Sequence, residues 1–154
     1  MITAWRLVKA GRFRDAFSGD GARRYGGRWN RQGTAVVYLA DSLALAALEL
    51  FLHLGKAHAA LEFVSFRVRI PGELIKRLAP KDLPADWRRE PPPQETMEVG
   101  STWVESASSA VLKVPSVFVP VEYNYILNPD HADFGRINVG DPVPFHFDPR
   151  LWKE

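Results

Sequence analysis

The 154-residue sequence contains no cysteine, and this absence excludes several classes of chemistry. Without thiols the protein has no disulfide framework, no thiol nucleophile and no cysteine-ligated zinc. Such a composition fits a reducing compartment, so we expect a cytoplasmic location. No basic amino-terminal region precedes an apolar run, which argues against a signal peptide. The longest apolar stretch, residues 43–54, is too short to span a bilayer, so we expect no membrane association.

A strong net charge is absent as well. The 20 Lys and Arg residues nearly balance the 18 Asp and Glu residues, which leaves a formal charge of +2. That charge is too small for a nucleic-acid-binding surface, so we expect no direct contact with DNA. Hydrophobic residues at 46% and charged residues at 25% are close to globular averages and exclude a disordered or fibrous chain. The length predicts a single domain over residues 1–154.

Common catalytic and phosphate-binding motifs are missing. The sequence has neither a Gly-x-Gly-x-x-Gly nor a Gly-Lys-Ser/Thr run, and it has no Gly-x-Ser-x-Gly nucleophile elbow. Glu49 and His53 are four residues apart and share a helix face, as a pair of metal ligands would. No His-Glu-x-x-His motif accompanies them, and further ligands would have to come from distant loops. We therefore expect no metal.

The predicted elements favour an α+β fold, with a helix near the amino-terminal third and many strands. Asp41 or Ser42 would cap a helix that runs to about Leu54, with Gly55 as its stop signal. Residues 9–33 are predicted to form a long loop and residues 80–100 an irregular proline-rich segment, with a short helix near 101–106. Strands are predicted at residues 2–8, 34–40, 63–70, 111–114, 117–121, 123–127, 136–139 and 143–147.

Glu49 is anomalous because it lies in a helix that is apolar nearly all round, which predicts burial. Desolvation alone would raise the pKa of this carboxyl. A nearby guanidinium or several hydrogen-bond donors would instead keep it ionised and able to stabilise positive charge. The alternatives to a functional carboxylate are a structural ion pair or a side chain that reaches the wet edge of the helix.

The segment of residues 25–30, Tyr-Gly-Gly-Arg-Trp-Asn, is the second candidate site. Two glycines allow positive φ and a close approach of backbone amides to a ligand, and Arg28 lies beside them. Such a loop suits a pyrophosphate and a flat ring, although an ordinary turn is the alternative. Ser116 lies between two prolines and could be a functional hydroxyl or a turn hydroxyl. His131 follows an Asn-Pro turn and is interpreted as a turn residue.

Five ordered motifs of the sequence resemble the RES-domain family, which is named for an Arg, a Glu and a Ser. In this chain those residues would be Arg28, Glu49 and Ser116. The resemblance runs over nearly the whole chain and is weakest over residues 56–100. The motifs are residues 26–30, residues 37–40 leading to Glu49, residues 114–116, residues 124–131 and residues 147–151.

The resemblance implies an ADP-ribosyltransferase-like α+β fold with a strand-rich core, a few helices and an NAD cleft. It also implies a bacterial toxin that degrades cellular NAD, which is a substrate, with no further cofactor. Proteins of this family are held inactive by an antitoxin with an Xre-type helix-turn-helix. We therefore expect an oligomer with such an antitoxin, which would cover the mouth of the cleft.

The chemistry implied by the resemblance suits Glu49. Cleavage of the nicotinamide–ribose bond passes through an oxocarbenium-like centre, for which a carboxylate is the principal electrostatic need. The nicotinamide group is cationic while it is bonded to the ribose and leaves as a neutral molecule. No second acid is therefore required to protonate the leaving group. Arg6 and Arg28 would clamp the pyrophosphate. Tyr38 would stack on the nicotinamide ring or close over it.

Roles for the remaining site residues stay open at this point. Ser116 would hydrogen-bond the nicotinamide ribose or hold Glu49 in position, while Trp29 and Asn124 would shape the pocket. The motifs do not distinguish hydrolysis from phosphorolysis. Transfer of ADP-ribose to a protein or a nucleic acid is the second hypothesis, and a non-enzymatic binding module is the third.

Overall fold

A mixed β-sheet forms the centre of the structure, a computed structural model that describes residues 1–58 and 60–153 without the Lys56 side chain. Within these residues the sheet has eight strands in the order β4-β5-β6-β2-β1-β3-β7, and β8 also pairs with β3. All neighbouring strands are antiparallel except β4 and β5. The strands are β1 Ile2–Lys9, β2 Val37–Ala40, β3 Phe63–Ile70, β4 Ile75–Arg77, β5 Val111–Pro115, β6 Tyr123–Leu127, β7 Asn138–Val139 and β8 Val143–Phe145.

Three α-helices lie among the described residues, and the predicted α+β class is confirmed. They are α1 Asp20–Tyr25, α2 Leu43–Phe51 and α3 Gln94–Ser106. Short 3-10 helices connect several strands, at Ala10–Asp15, Lys56–His58, Gly72–Leu74, Pro80–Asp82, Phe134–Arg136 and Pro149–Trp152. None of the helices in the described part of the chain is long and apolar enough to cross a membrane.

Side chains alternate between the two faces of the sheet, as the twofold period of a strand requires. One face carries the largest core cluster, which includes Leu39, Val68 and Leu127. The opposite face carries two smaller clusters. One surrounds Trp29, Trp103, Leu112, Val114 and Ile126, and the other packs Leu7, Phe63 and Phe147 against α2. The candidate site lies on this second face, between the two smaller clusters.

Helix α2 begins where the sequence predicts. The Ser42 side chain accepts a hydrogen bond from the Leu45 amide at 3.0 Å, which is the expected amino-terminal cap. The helix ends at Phe51, earlier than predicted, because the next turn tightens into i→i+3 bonds before Gly55. The prediction that the helix is buried all round is wrong. Leu48 and Leu52 are 40% and 51% exposed on its outer side.

Three other predictions are also wrong. Residues 9–33 are not a loop throughout, because a 3-10 helix and α1 lie within them, and Asp20 of α1 pairs with Arg23 and Arg24. Helix α3 begins directly after Pro93, earlier than the short helix predicted near residues 101–106. Proline is tolerated there because the first N–H groups of a helix have no partner within the helix, so the N–H that proline lacks is not needed. Residues 117–121 form bends and a turn between β5 and β6, so no strand lies there.

Strand predictions in the carboxyl-terminal part were too long, and one strand was missed. Of the predicted residues 136–139 and 143–147, only Asn138–Val139 and Val143–Phe145 form strands, and both pair with β3. The missed strand is β4, a three-residue edge strand parallel to β5. Strand β3 has its predicted bounds, because its alternating pattern is eight residues long.

Candidate active site

A cavity of about 450 Å³ opens on the second face of the sheet. Strands β1 and β2 form its floor, and α2 forms one wall. The opposite walls come from the loop before β2, from residues 90 and 92, and from the turn after β5. Its lining residues are Trp5, Arg6, Leu7, Gly26, Gly27, Arg28, Trp29, Tyr38, Leu39, Ala40, Ala46, Glu49, Leu50, His53, Glu90, Pro92, Val117, Phe118 and Asn124.

Glu49 projects from α2 into this cavity, and both of its carboxylate oxygens are held. The Ser116 hydroxyl donates to Oε2 at 3.0 Å, and the Asn124 side-chain amide donates to Oε1 at 2.9 Å. Glu49 forms no ion pair with any side chain that the structure describes. Within the described part of the chain, two neutral donors and no cationic side chain hold this carboxylate.

The pKa of Glu49 lies above its ordinary value. Burial is the main cause, since it disfavours the charged form. The hydrogen bonds from Asn124 and Ser116 act in the opposite direction and lower the pKa, and the nearby charge of Glu122 raises it further. The two donors are neutral, so when Glu49 is ionised its negative charge is stabilised without being cancelled.

Ser116 is fully buried and is not among the cavity-lining residues. Its oxygen accepts hydrogen bonds from the amides of Phe118 and Val119, each at 3.3 Å, so its hydrogen is directed to Glu49. The tight turn after β5 fixes the hydroxyl in this way. This geometry fits a Ser that holds Glu49 and does not fit direct contact with a ribose in the cavity.

Asn124 lies on β6, where its Cα is paired with that of Ala40 on β2. Its amide donates both to Glu49 and to the Leu39 carbonyl, at 3.2 Å for the latter. The register of the sheet thereby sets the position of the amide relative to α2. Asn124 also lines the cavity.

Arg28 lies at the other end of the cavity, and its side chain is only 11% exposed. Nη1 donates to the carbonyls of Trp87 and Arg89 at 2.8 and 2.6 Å. Nη2 donates to the carboxylate of Glu90 at 2.8 Å. These three acceptors belong to the proline-rich segment, which sequence reasoning left without a function. The remaining nitrogen, Nε, forms no hydrogen bond with a described residue.

The Arg28 loop is locked to β2 through Tyr38. The Tyr38 hydroxyl donates to the side-chain oxygen of Asn30 and accepts a hydrogen bond from the Trp29 amide at 3.1 Å. A Cβ at position 27 would lie 2.8 Å from this hydroxyl, so Gly27 is required by the close approach. Burial raises the pKa of Tyr38, which keeps the phenol neutral.

Helix α3 supports the same loop from the outside. Trp29 is 2% exposed and packs in the cluster with Trp103. A Cβ at position 100 would lie 1.6 Å from the Trp29 carbonyl oxygen, so only glycine lets α3 lie this close. Trp29 therefore anchors the loop mainly through its buried side chain and its backbone.

Arg6 is partly buried next to the point where β1 and β2 separate, because the register of these two strands joins Trp5 to Ala40. Its Nε donates to the Ala16 carbonyl at 2.8 Å, and Nη1 donates to the Tyr38 carbonyl at 3.1 Å. Burial lowers the pKa of Arg6 to about 10, so the guanidinium stays charged near neutral pH. Its Nη2 forms no hydrogen bond with a described residue.

Several cavity residues were missed by sequence reasoning. Trp5, Phe118 and Glu90 have no motif that marks them, and they reach the cavity only through the fold. His53 does line the cavity one helical turn after Glu49. Among the described residues no group of three or more His, Asp or Glu side chains could hold a metal ion.

Most of this sequence matches one protein family and several of its relatives. The RES domain family matches residues 3–148. "Toxin Res" of Yersinia enterocolitica is 43% identical over 148 residues, which are 96% of this chain and 97% of that protein. "Prs ADP-ribosylating toxin" of Sphingobium sp. is 38% identical over 152 residues, 96% of this chain and 94% of that protein.

A solved structure has the same fold. It is a chain of the M. tuberculosis MbcT-MbcA toxin-antitoxin complex, which superposes with a TM-score of 0.77 at 21% sequence identity. The match covers 99% of this chain and 87% of that chain.

Proposed function

This chain belongs to the RES domain family, and we propose that it is a toxin that cleaves the nicotinamide–ribose bond of NAD. The observation that carries this proposal is the environment of Glu49. Its carboxylate is held by two neutral donors and forms no ion pair with a described residue, and Glu49 lines a cavity whose lining residues include Arg6 and Arg28.

This arrangement matches the charge distribution of the reaction. Positive charge develops at the ribose carbon as nicotinamide leaves, and Glu49 would stabilise that charge electrostatically. The nicotinamide ring departs as a neutral molecule, so one carboxylate at the reacting carbon is sufficient. The pyrophosphate is negatively charged and would bind at Arg28 and Arg6. Among the described residues nothing is hydrogen-bonded to Nε of Arg28 or to Nη2 of Arg6.

Ser116 and Asn124 act as positioning residues in this proposal. Each directs one donor at a different oxygen of Glu49, so together they fix the rotation of the carboxylate. Hydrogen bonds that favour the charged form also limit the rise in the pKa of Glu49. A substrate carbon then meets a carboxylate that is already oriented, which lowers the cost of reorganisation in the transition state.

Tyr38 has a narrower role than its motif implies. Its hydroxyl is committed to Asn30 and to the Trp29 amide, so only the ring is free to contact a ligand. We propose that Tyr38 offers an apolar surface to the substrate and holds the Arg28 loop in place. Phe118, which is 42% exposed at the cavity wall, offers a second aromatic surface for a flat ring.

ADP-ribosyl transfer is the second candidate function. A relative at 38% identity is named an ADP-ribosylating toxin, and the same residues would serve either reaction because the acceptor attacks after the same bond is broken. Water, inorganic phosphate and a protein side chain are the competing acceptors.

The partner in this proposal is an antitoxin. The solved protein with this fold was crystallised as a toxin-antitoxin complex. We propose an Xre-type helix-turn-helix antitoxin that covers the cavity mouth and supplies the DNA contact, in the cytoplasm of a bacterium. Occlusion requires that NAD and antitoxin exclude each other. Binding of a non-hydrolysable NAD analogue to the intact complex at the affinity of the free toxin would contradict it.

Product analysis with the purified chain tests the activity. NAD is incubated with the protein in phosphate-free buffer, with added phosphate, and with a bacterial extract. Release of nicotinamide with ADP-ribose identifies hydrolysis, and a phosphorylated ADP-ribose product identifies phosphorolysis. ADP-ribose attached to a protein or nucleic acid identifies transfer. A chain that neither binds nor consumes NAD would be a binding module, and the proposal would be wrong.

A further inference from the structure

Glu90 places a second carboxylate on the wall of the cavity, apart from Glu49. Its side chain is 78% exposed, and its Oε2 accepts the hydrogen bond from Arg28 Nη2. Arg28 itself is nearly buried, at 11% exposure. The exposed carboxylate of Glu90 is therefore hydrogen-bonded to a guanidinium whose other side is held within the fold.

The hydrogen bonds of Arg28 divide into two groups. Nη1 spends both of its hydrogens on the carbonyls of Trp87 and Arg89, and these neutral acceptors belong to the backbone. Nη2 and Nε form the edge of the guanidinium that binds phosphate or carboxylate groups with two parallel hydrogen bonds. Only Glu90 contacts that edge among the described residues, and it does so through a single hydrogen bond.

The edge held by Glu90 also lies in the part of the cavity suited to an anion. Strand β2 connects the Glu49 end of the cavity to the Arg28 loop. The Leu39 carbonyl accepts a hydrogen bond from Asn124, which also binds Glu49. The Tyr38 hydroxyl accepts one from the Trp29 amide in the Arg28 loop. A substrate whose ribose carbon lies at Glu49 would extend its phosphates along this direction.

We propose that Glu90 is a determinant of substrate affinity, because its carboxylate occupies on Arg28 the position that a phosphate group of the substrate takes. The proposal rests on the function proposed above. Substrate binding is then an exchange of anions, in which a phosphate replaces Glu90 and the exposed side chain turns to solvent. The carbonyls of Trp87 and Arg89 hold Arg28 during the exchange.

The effect of Glu90 is a competition, so removing its charge should strengthen the binding of phosphate compounds. Glu90→Gln retains the size of the side chain, and Glu90→Ala removes the competitor. Ion pairs with an exposed partner contribute up to about 1 kcal/mol, so we expect affinity to rise about two- to fivefold. Glu105→Gln is the matched control, because it makes the same change in net charge at an exposed position of α3 outside the cavity lining.

The measurement is a calorimetric titration of inorganic pyrophosphate into the unmodified protein and these three variants, accompanied by the KM for NAD. Tighter pyrophosphate binding and a lower KM in both Glu90 variants, with Glu105→Gln unchanged, would support the proposal. Unchanged or weaker pyrophosphate binding in the Glu90 variants would overturn it, as would an equal gain in Glu105→Gln.

The two proposals fail in different ways. If the unmodified protein does not consume NAD, the proposed function fails, while pyrophosphate still reports whether Glu90 competes for Arg28. If NAD is consumed but the Glu90 variants bind pyrophosphate no more tightly, the exchange of anions fails alone.

Discussion

The two ends of the cavity hold their charged groups by different means. At the Glu49 end, α2, β6 and the turn after β5 position a carboxylate with two neutral donors, Ser116 and Asn124. At the Arg28 end, turns and irregular backbone of the proline-rich segment supply two carbonyls and the exposed carboxylate of Glu90. The Glu49 carboxylate is therefore oriented by the sheet and α2, whereas the Arg28 guanidinium is held by a segment that belongs to neither.

This difference indicates a division of labour. A carboxylate held by neutral donors keeps its negative charge available for a positive centre, and it needs no rearrangement when that centre forms. A guanidinium paired with an exposed carboxylate can change its partner, because the pair is weak and one side chain is free to move. We therefore expect substitutions at the Glu49 end to change kcat, and substitutions at the Arg28 end to change substrate affinity.

The largest effect is expected from Glu49→Gln. This change retains the shape of the side chain and removes its charge, so in the proposed reaction the positive centre at the ribose would lose its main stabilising group. NAD consumption should fall by about 10²-fold or more, the size of one electrostatic group in a preorganised site. Consumption of NAD at the unmodified rate would show that Glu49 has been assigned the wrong role.

A large loss of stability is expected from Gly100→Ala. The new methyl group would collide with the backbone of Trp29, which cannot move without displacing the Arg28 loop. Overpacking of this kind reduces the free energy of unfolding by about 1–3 kcal/mol. Gly21→Ala in α1 is the control, since a Cβ there meets nothing within 4 Å and should stabilise the helix slightly. Equal thermal stability of the two variants would contradict the packing described for α3.

Asn124→Ala should lower kcat about tenfold, because a hydrogen bond to a charged group is lost. The pH dependence gives a more specific test. In the proposed mechanism activity requires ionised Glu49, so it should fall as the pH decreases through the pKa of that carboxyl. Burial already raises this pKa, and Asn124 lowers it, so the variant should lose activity at a higher pH than the unmodified protein. A merely structural defect would lower the rate at every pH without moving the acidic limb, and that result would contradict the positioning role.

A smaller effect, on affinity, is expected from Arg28→Lys. An ammonium group cannot reproduce the planar fork, in which one nitrogen binds the two carbonyls and a separate edge is left for a phosphate. NAD binding to a Glu49→Gln background should weaken about five- to tenfold in calorimetry. Lys113→Arg, a basic exchange outside the cavity lining, serves as the control. Unchanged affinity after Arg28→Lys would remove Arg28 from the binding site.

The sequence predicts the Glu49 end better than the Arg28 end for physical reasons. A single carboxylate in an apolar helix is a local anomaly, and strand β3 alternates over its full length, so both can be seen within a short window. The local pattern left Arg28 and Ser116 open as turn residues, and the resemblance to a family gave each of them a role. The partners of Arg28 lie 59–62 residues away in irregular backbone, and no local pattern marks such a contact.

Other differences have equally specific causes. Helix α3 was predicted only near residues 101–106, because three prolines precede it, although the last of them lies just before its first residue. The requirement for Gly100 depends on the nearness of the Trp29 backbone, which only the folded chain defines. The predicted strand at residues 117–121 has the right composition, but the Ser116 hydroxyl binds two amides there and closes a turn.

Binding of NAD to the Glu49→Gln variant tests the central claim most directly, since the account assigns binding and bond cleavage to different ends of one cavity. Calorimetry should show saturable one-to-one binding of NAD, and chromatography of the same sample should show almost no released nicotinamide. Release of nicotinamide at the unmodified rate would contradict the account, and so would loss of saturable binding in a variant that remains folded.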